Sequence, residues 1–158
     1  IRVHQSPRAL SSNEAAADLR AFRLADLQHQ TIIKRIVRDL NLPVRIETRP
    51  SVREADGLAP SSRNVYLSPE ERAQAPQIRQ ALLHAQKLAQ EGAGSATLLR
   101  EAVLRRWAEL LPLGRLDYLT IVHPESLEPL DEVVGPALMA CAVRMGKARL
   151  IDNILLHS

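Results

Sequence analysis

The sequence predicts an α/β fold in two parts: a helix and a strand, then two helices and a small antiparallel sheet. Apolar residues recur at helical spacing up to Leu40, and VRIETR (44–49) then alternates apolar and polar residues like a strand. After Gly114 the pattern changes from helix to short strands. A helix followed by a strand is the second part of an α/β crossover unit, here without a visible opening strand.

The first part contains one long helix and one strand. We predict the helix over 12–40, with Ile33, Ile36, Val37 and Leu40 on its apolar face. Pro43 disfavours helical geometry before it, and the strand 44–49 closes at Pro50. Because the sheet of this part looks incomplete, we expect these apolar faces to be partly exposed, or covered by the N-terminal segment or another copy.

The second part begins at a capping signal. Ser68 is a predicted N-cap, Pro69 the first helical residue and Glu71 the capping-box carboxylate of a helix reaching about Gln90. A second amphipathic helix ends at Pro112 and Gly114. The predicted strands are 116–122, 127–131, 137–145 and 148–156, with a hairpin turn at 145–147. We place the domain boundary before Ser68, which gives domains 1–67 and 68–158.

Composition narrows the function classes. The 158 residues are 46% hydrophobic and 25% charged, which is typical of a folded domain. The net charge is only +3, the basic residues are scattered, and Phe and Trp occur once each and Tyr twice. Because stacking platforms and a basic stripe are both missing, we expect no nucleic-acid partner.

The expected setting is the cytoplasm. No apolar run approaches the ~20 residues of a membrane span, and the N-terminus shows no hydrophobic signal core. The single cysteine, Cys141, lies in the apolar run ALMACAV and has no internal disulfide partner. We interpret it as a small buried core residue in a reducing compartment, and we expect no membrane partner.

The loop between strand 44–49 and Ser68 is the candidate site. Ser61 and Ser62 offer hydroxyl donors, Arg63 offers a planar guanidinium, and Gly57 allows close backbone approach. Such a set suits a polyphosphate, because charge-assisted hydrogen bonds to phosphate are strong. Serine-rich loops before capped helices are also common, so the loop alone does not decide between a binding site and a structural turn.

Four ordered segments resemble the pantothenate synthetase family. VREADGLAPSSRNVYLSPEER (52–72) is similar to that family's signature loop, and LDYLTIVHPESLEPLD (116–131) to its strand pair. GPALMACAVRMGKARLIDNILL (135–156) and DLQHQTIIKRIVRDLNLPV (26–44) also match family segments. The resemblance covers residues 26–156, and upstream of Phe22 we find none.

The resemblance implies a fold and a chemistry. The fold would be the remnant of a Rossmann-like nucleotidyl-transferase domain, an incomplete ATP-binding part at 1–67, followed by the small α+β domain. The family uses ATP to activate pantoate as an acyl adenylate, which the amine of β-alanine then attacks. ATP and Mg²⁺ are the implied cofactors, and pantoate and β-alanine the substrates. A homodimer is a possible assembly, and the sequence does not reveal the oligomeric state.

The resemblance also assigns roles to residues. Ser61, Ser62 and Arg63 would be catalytic, holding the ATP phosphates and stabilising charge on the leaving pyrophosphate. The set implied for nucleotide binding is Asp26 at the ribose, Val52 and Pro60 beside the adenine, and Ser61, Ser62 and Arg63 at the phosphates. Gln28 and His29 stand at the paired-glutamine positions that bind substrate, and no protein metal ligand is implied.

Departures from the family pattern bear on activity. Ala25 stands where the family has a phosphate-binding lysine, and Arg23 stands where it has a glycine. His29 replaces the second glutamine of the pair, and Pro60 replaces a methionine or leucine. None of the five histidines lies in the family's HxGH pattern. We therefore expect no turnover by these 158 residues alone. The alternatives are a non-catalytic C-terminal module that acts in binding or assembly and, more weakly supported, another nucleotidyl transferase of the same superfold.

Overall fold

The structure is a computed structural model that describes residues 2–5, 20–21, 27–47 and 51–157, with side chains from Gln30 onward. The chain divides into two compact units, Ile1–Ser51 and Val52–Ser158.

The first unit contains three short strands and one helix. Strand β1 (Arg2–Gln5) lies between β2 (Arg20–Ala21) and β3 (Val44–Glu47), and both neighbours pair with it antiparallel. Helix α1 spans Leu27–Asp39. The predicted helix over 12–40 is therefore too long, because Arg20 and Ala21 are in a strand. Residues 12–19 and 22–26 of that prediction, and 48–50 after β3, lie outside the described residues.

Helix α1 ends in a Schellman motif. Asn41 adopts a positive φ of 47°, its N–H donates to Arg38 O (3.1 Å), and the Leu42 N–H donates to Val37 O (2.9 Å). These two bonds satisfy carbonyls that the end of a helix leaves free. The sequence predicted a stop at Asn41-Leu42-Pro43 because of Pro43, whereas the left-handed Asn41 already ends the helix.

The apolar face of α1 is partly exposed, as expected from the sequence. Ile36 is 47% exposed and Leu40 65% exposed, whereas Ile33 and Val37 have intermediate exposure. A helix whose apolar stripe keeps this much contact with solvent gains little stability from burial.

The second unit places three helices beside an antiparallel sheet. The helices are α2 (Pro69–Gln74), α3 (Pro76–Gln90) and α4 (Ala96–Leu110). The predicted single helix from Pro69 to about Gln90 is wrong at one point, because α2 and α3 are separate. Pro76 has no N–H for the helical bond to Arg72, and its ring crowds that carbonyl, so the helix breaks there. The predicted capping box of Ser68 and Glu71 is confirmed.

The sheet has the order β4-β5-β6, formed by Gly114–Val122, Ala137–Met145 and Ala148–Leu156. Met145 pairs with Ala148, so the predicted hairpin turn contains two residues, and Gly146 has a φ of 52°. The predicted strand 127–131 is wrong, because only a single bridge joins Val122 to Pro129. Leu127 has a φ of 63° and Pro129 lacks an N–H, and neither suits a continuous ladder.

The core of the second unit lies between the helices and one face of the sheet. Alternate residues of β5 enter it, and Cys141 among them is 0% exposed. Small residues on α3 let the neighbouring elements approach closely. The largest fully buried side chains of this core are Ile78, Leu82, Leu99, Met139, Met145 and Leu156. The interpretation of Cys141 as a buried core residue is confirmed.

None of the helices in the described ranges combines the length and apolar character that a membrane span needs.

The predicted boundary at 67/68 stays a prediction, although the compact second unit begins earlier, at Val52. Side chains of residues 52–67 bond to α2 and to β6.

Candidate functional site

The loop 52–67 is joined to β6 by an arginine–aspartate pair. Arg53 Nη1 donates to Asp152 Oδ2 (3.0 Å) and Nη2 donates to Asp152 Oδ1 (2.8 Å). Arg53 Nη1 also donates to the carbonyl of Gly57 (3.0 Å). One guanidinium therefore closes the 53–57 turn and attaches it to a strand 99 residues further along the chain.

A second arginine joins the same turn to α2. Arg72 donates to Asp56 Oδ2 and to Glu54 Oε2, both at 2.6 Å. Its hydrogen bond to Asp56 lowers the pKa of that carboxyl, with the Leu58 N–H adding to the effect. Leu58 is buried in the core, so the turn is held by an apolar contact as well as by charge.

The residues predicted to hold ATP phosphates form an exposed 3₁₀ turn, Ser62–Tyr66, which Ser61 caps. Ser61 Oγ accepts a hydrogen bond from the Arg63 N–H (3.2 Å), and Asn64 Nδ2 donates to the carbonyl of Ala59 (3.1 Å). Ser61, Ser62 and Arg63 are all exposed. The turn is thus fixed through its backbone and through Asn64, while the Ser62 hydroxyl and the Arg63 guanidinium face solvent.

The remaining predicted site residues are less constrained. Pro60 is exposed beside the turn, and Val52 is 70% exposed at the start of the loop. Asp26 lies outside the described residues. Gln28 and His29 lie in the first turn of α1, and their side chains are outside what the structure describes. The structure places Ser61, Ser62 and Arg63 in one turn, and the roles of all the predicted site residues stay predictions.

Sequence reasoning missed Arg53 and Asp152. Both lie inside the quoted segments, Arg53 in VREADGL and Asp152 in RLIDN, yet no role followed from the motifs. Arg79 lies on the other side of the carboxylate, with its Nη1 3.9 Å from Asp152 Oδ1 and donating to the carbonyl of Asn153 (2.9 Å). Burial lowers the pKa of Arg79, and the charge of Asp152 opposes that shift.

Cys141 is next to this pair but is no nucleophile. Its Sγ lies 3.5 Å from the carbonyl of Asp152, and burial raises the pKa of the thiol to about 12. Since the thiolate is the reactive form, a thiol with so high a pKa is inert at neutral pH.

The family model described as Pantoate-beta-alanine ligase matches residues 13–155. The chain belongs to the pantoate–β-alanine ligase family. The match begins before Phe22, so the expectation of no resemblance upstream of that residue is wrong.

Relatives in this family match most of the chain. The pantothenate synthetase of Desulfovibrio desulfuricans is 91% identical over 144 residues, which are 91% of this chain and 51% of the relative. The pantothenate synthetase of Nitratidesulfovibrio vulgaris strain Miyazaki F is 56% identical over 135 residues, 85% of this chain and 48% of the relative. The chain spans about half the length of these curated relatives and corresponds to the C-terminal part of the family.

Solved structures of the family share the fold. Pantothenate synthetase from Thermus thermophilus aligns with a TM-score of 0.76 at 45% identity, over 82% of this chain and 46% of that chain. Pantoate-beta-alanine ligase from Francisella tularensis aligns with a TM-score of 0.52 at 25% identity, over 83% of this chain and 41% of that chain. The predicted α/β class, with helices beside a small antiparallel sheet, is confirmed.

Proposed function

We propose that this chain is the C-terminal half of a pantothenate synthetase and supplies the loop that holds the phosphates of ATP. In the proposed reaction, a carboxylate oxygen of pantoate attacks the α-phosphorus of ATP and pyrophosphate leaves. The amine of β-alanine then attacks the acyl carbon of the adenylate, AMP leaves, and the nitrogen loses a proton. The Francisella tularensis structure is described as a complex with beta-gamma ATP and beta-alanine, which supports ATP and β-alanine as ligands in the family.

The observation that carries the proposal is the exposed, backbone-fixed turn with Ser61, Ser62 and Arg63. Hydroxyl and guanidinium donors with solvent access can bond phosphate oxygens without displacing internal partners. Negative charge grows on the leaving pyrophosphate, so a pre-positioned guanidinium stabilises the transition state more than the ground state. Arg63 would supply this charge, and Ser61 and Ser62 would orient the phosphates.

The other assignments complete the proposal. Asp26 would accept the ribose hydroxyls, since a carboxylate is an acceptor suited to a diol. Val52 and Pro60 would contact the adenine, and the exposed apolar side chain of Val52 is compatible with that role. Gln28 and His29 would contact pantoate. Assembly into a homodimer and a cytoplasmic setting are also part of this proposal, and the buried, unpaired Cys141 supports a reducing compartment.

The described residues do not fit a dedicated Mg²⁺ site. They contain no group of three or more acidic, histidine or cysteine side chains that could hold a metal ion. The donors of the turn are hydroxyls and a guanidinium, a set that suits an anion. We therefore assign these residues no role in binding Mg²⁺.

The test is reconstruction within the Desulfovibrio desulfuricans relative. This chain replaces the matching half of that enzyme, and formation of pantothenate and AMP is measured. We expect activity, with Arg63→Ala lowering kcat by about 10²- to 10³-fold, the usual cost of losing one transition-state donor. Arg100→Ala, an exposed arginine of α4, is the matched control and should keep full activity. The 158-residue chain alone should release no AMP.

The second candidate function is a non-catalytic module that acts in binding or assembly. Ala25 stands where the family has a phosphate-binding lysine, and this observation favours it. The same reconstruction separates the two candidates. A folded hybrid that shows no activity, beside an active parent enzyme, would support the module and contradict the ligase proposal.

A further inference from the structure

The link between Arg53 and Asp152 has the geometry of a strong ion pair. Both carboxylate oxygens accept a hydrogen bond from the guanidinium, at 3.0 and 2.8 Å. The Arg53 side chain is only 21% exposed and the Asp152 side chain 11%. Two parallel bonds in a partly buried setting are more specific and less screened by salt than a surface pair.

Asp152 is held from several sides. Besides Arg53, it accepts a bond from the Asn153 N–H (2.7 Å) and lies 3.9 Å from Arg79. Loss of one arginine therefore leaves the carboxylate with a second cation and a backbone donor. The penalty of an uncompensated buried charge is avoided, so the pair can be broken without unfolding the unit.

The pair is the first contact in a continuous series that ends at the candidate phosphate-binding turn. The Glu54 N–H donates to the Leu58 carbonyl (2.9 Å), and the Leu58 N–H donates to Asp56 Oδ1 (3.1 Å). One residue later, the Ala59 carbonyl accepts from Asn64 Nδ2 (3.1 Å). Order imposed at residue 53 is thus transmitted through short-range bonds to residues 61–64.

We propose that Arg53 and Asp152 are positioning residues for nucleotide binding: they hold the 52–67 loop so that Ser61, Ser62 and Arg63 are pre-arranged for the phosphates of ATP. This inference rests on the proposed function and adds the residues that orient its phosphate-binding turn. If the loop is ordered for only a fraction of the time, its apparent affinity for ATP is the intrinsic affinity multiplied by that fraction. Anchoring the loop therefore raises the affinity although the anchor does not contact ATP.

Two other roles for Arg53 must be separated from positioning. Arg53 could attract ATP directly by its charge, in which case lysine would serve as well. Lysine keeps the charge. Its ammonium group is not a planar fork, however, and cannot replace the guanidinium that donates to both carboxylate oxygens and to the Gly57 carbonyl. The pair could also stabilise the whole unit, in which case its loss would loosen the helices and the sheet as much as the loop.

The experiment uses the hybrid enzyme of the reconstruction test and four variants of it. Arg53→Gln removes the charge and the fork, Arg53→Lys keeps the charge, and Asp152→Asn weakens the pair from the other side. Asp117→Asn is the matched control, because Asp117 also accepts from two arginines, at 2.7 Å from Arg149 and 3.4 Å from Arg144, and none of the three lies in the loop. Amide hydrogen exchange reports order along the chain, and shifts of the Ser61–Arg63 amides during ATP titration give the Kd.

We expect Arg53→Gln to exchange about tenfold faster in residues 53–66, with α3, α4 and β5 unchanged. Its Kd for ATP should rise about tenfold. Arg53→Lys and Asp152→Asn should show nearly the same changes in loop exchange and in Kd, whereas Asp117→Asn should match the wild type in both. Full affinity in Arg53→Lys, or faster exchange spread evenly over the unit, overturns the proposal. Unchanged exchange of the loop amides and an unchanged Kd for ATP in Arg53→Gln would also overturn it.

Failure of the proposed function has a different signature. A hybrid enzyme without substitutions whose Ser61–Arg63 amides do not shift with ATP overturns that function, and this inference with it. A wild type that does shift, beside variants that bind equally well, overturns this inference alone.

Discussion

Gly146, in the β5–β6 turn, lies directly against the carboxylate of Glu71. A Cβ on Gly146 would overlap both Glu71 oxygens, and Gly146 itself has a φ of 52°. Glu71 is at the same time the capping-box residue whose Oε2 accepts from the Ser68 N–H (2.9 Å). The tip of the hairpin and the start of α2 therefore meet at one carboxylate, and glycine is the residue that allows it.

Gly146→Ala should destabilise the second unit by at least about 2 kcal/mol, because a left-handed φ costs an L-residue about 1–2 kcal/mol and the overlap adds to that. Urea denaturation measures the change. In a Glu71→Ala background the overlap is removed, so the cost of Gly146→Ala should fall to the backbone component alone. Gly135→Ala, with no atom near its Cβ, is the control with no expected loss. Equal costs in both backgrounds would show that the carboxylate does not restrict residue 146.

The two serine caps should differ in strength. Ser68 accepts from the Glu71 N–H (3.2 Å) within a reciprocal capping box, whereas Ser95 accepts only from the Leu98 N–H at 3.4 Å. We expect Ser68→Ala to cost about 1 kcal/mol of unfolding free energy and Ser95→Ala clearly less. Urea midpoints of the two variants check this order, and a larger loss at Ser95 would contradict it.

The Arg72–Asp56 pair should contribute to stability only above acidic pH. Its hydrogen bond lowers the pKa of the Asp56 carboxyl in the folded state from the ordinary value near 3.8. At pH values above 3.8, the Asp56 carboxyl is ionised in both the folded and the unfolded state, and the pair contributes its full stabilisation. As the pH falls below this value, the unfolded chain binds the proton first, so the contribution is lost through the lowered native pKa.

The matching measurement is an NMR titration of the Asp56 carboxyl. In Arg72→Gln its pKa should return towards 3.8, and the stability difference from wild type should vanish at low pH. Asp117 is an internal control, because the pKa of its carboxyl is lowered chiefly by its bond to Arg149 and should not respond. An Asp56 titration unchanged by the substitution would refute the assignment.

Cys141 should be unreactive in the folded protein. Burial raises the pKa of its thiol to about 12, and the side chain is fully covered. A colourimetric thiol reagent at pH 8 should find no accessible group in the native chain and one group per chain in denaturant. Because the folded pKa is the higher one, stability should decline as the pH rises above about 9, and Cys141→Ala should lack that decline. Rapid native labelling would contradict the burial.

Local sequence signals predicted the short-range features well. The capping box at Ser68 and Glu71 and the hairpin turn at Gly146 involve residues close in the chain, so their patterns were sufficient. Two of the errors occurred where one or two residues overrode a longer pattern. Pro76 broke an amphipathic helix into two, and the left-handed Leu127 together with Pro129 prevented a strand that alternation had predicted.

The proposed phosphate-binding loop shows how much of the candidate site could be predicted from the amino-acid sequence. Ser61, Ser62 and Arg63 were identified from residue type and from resemblance, because hydroxyls and guanidinium groups carry their chemistry wherever they lie. The pairing of Arg53 with Asp152 required the tertiary structure. Their separation of 99 residues is closed only when the turn and strand β6 pack together, and no local pattern specifies which of 18 acidic residues an arginine will meet.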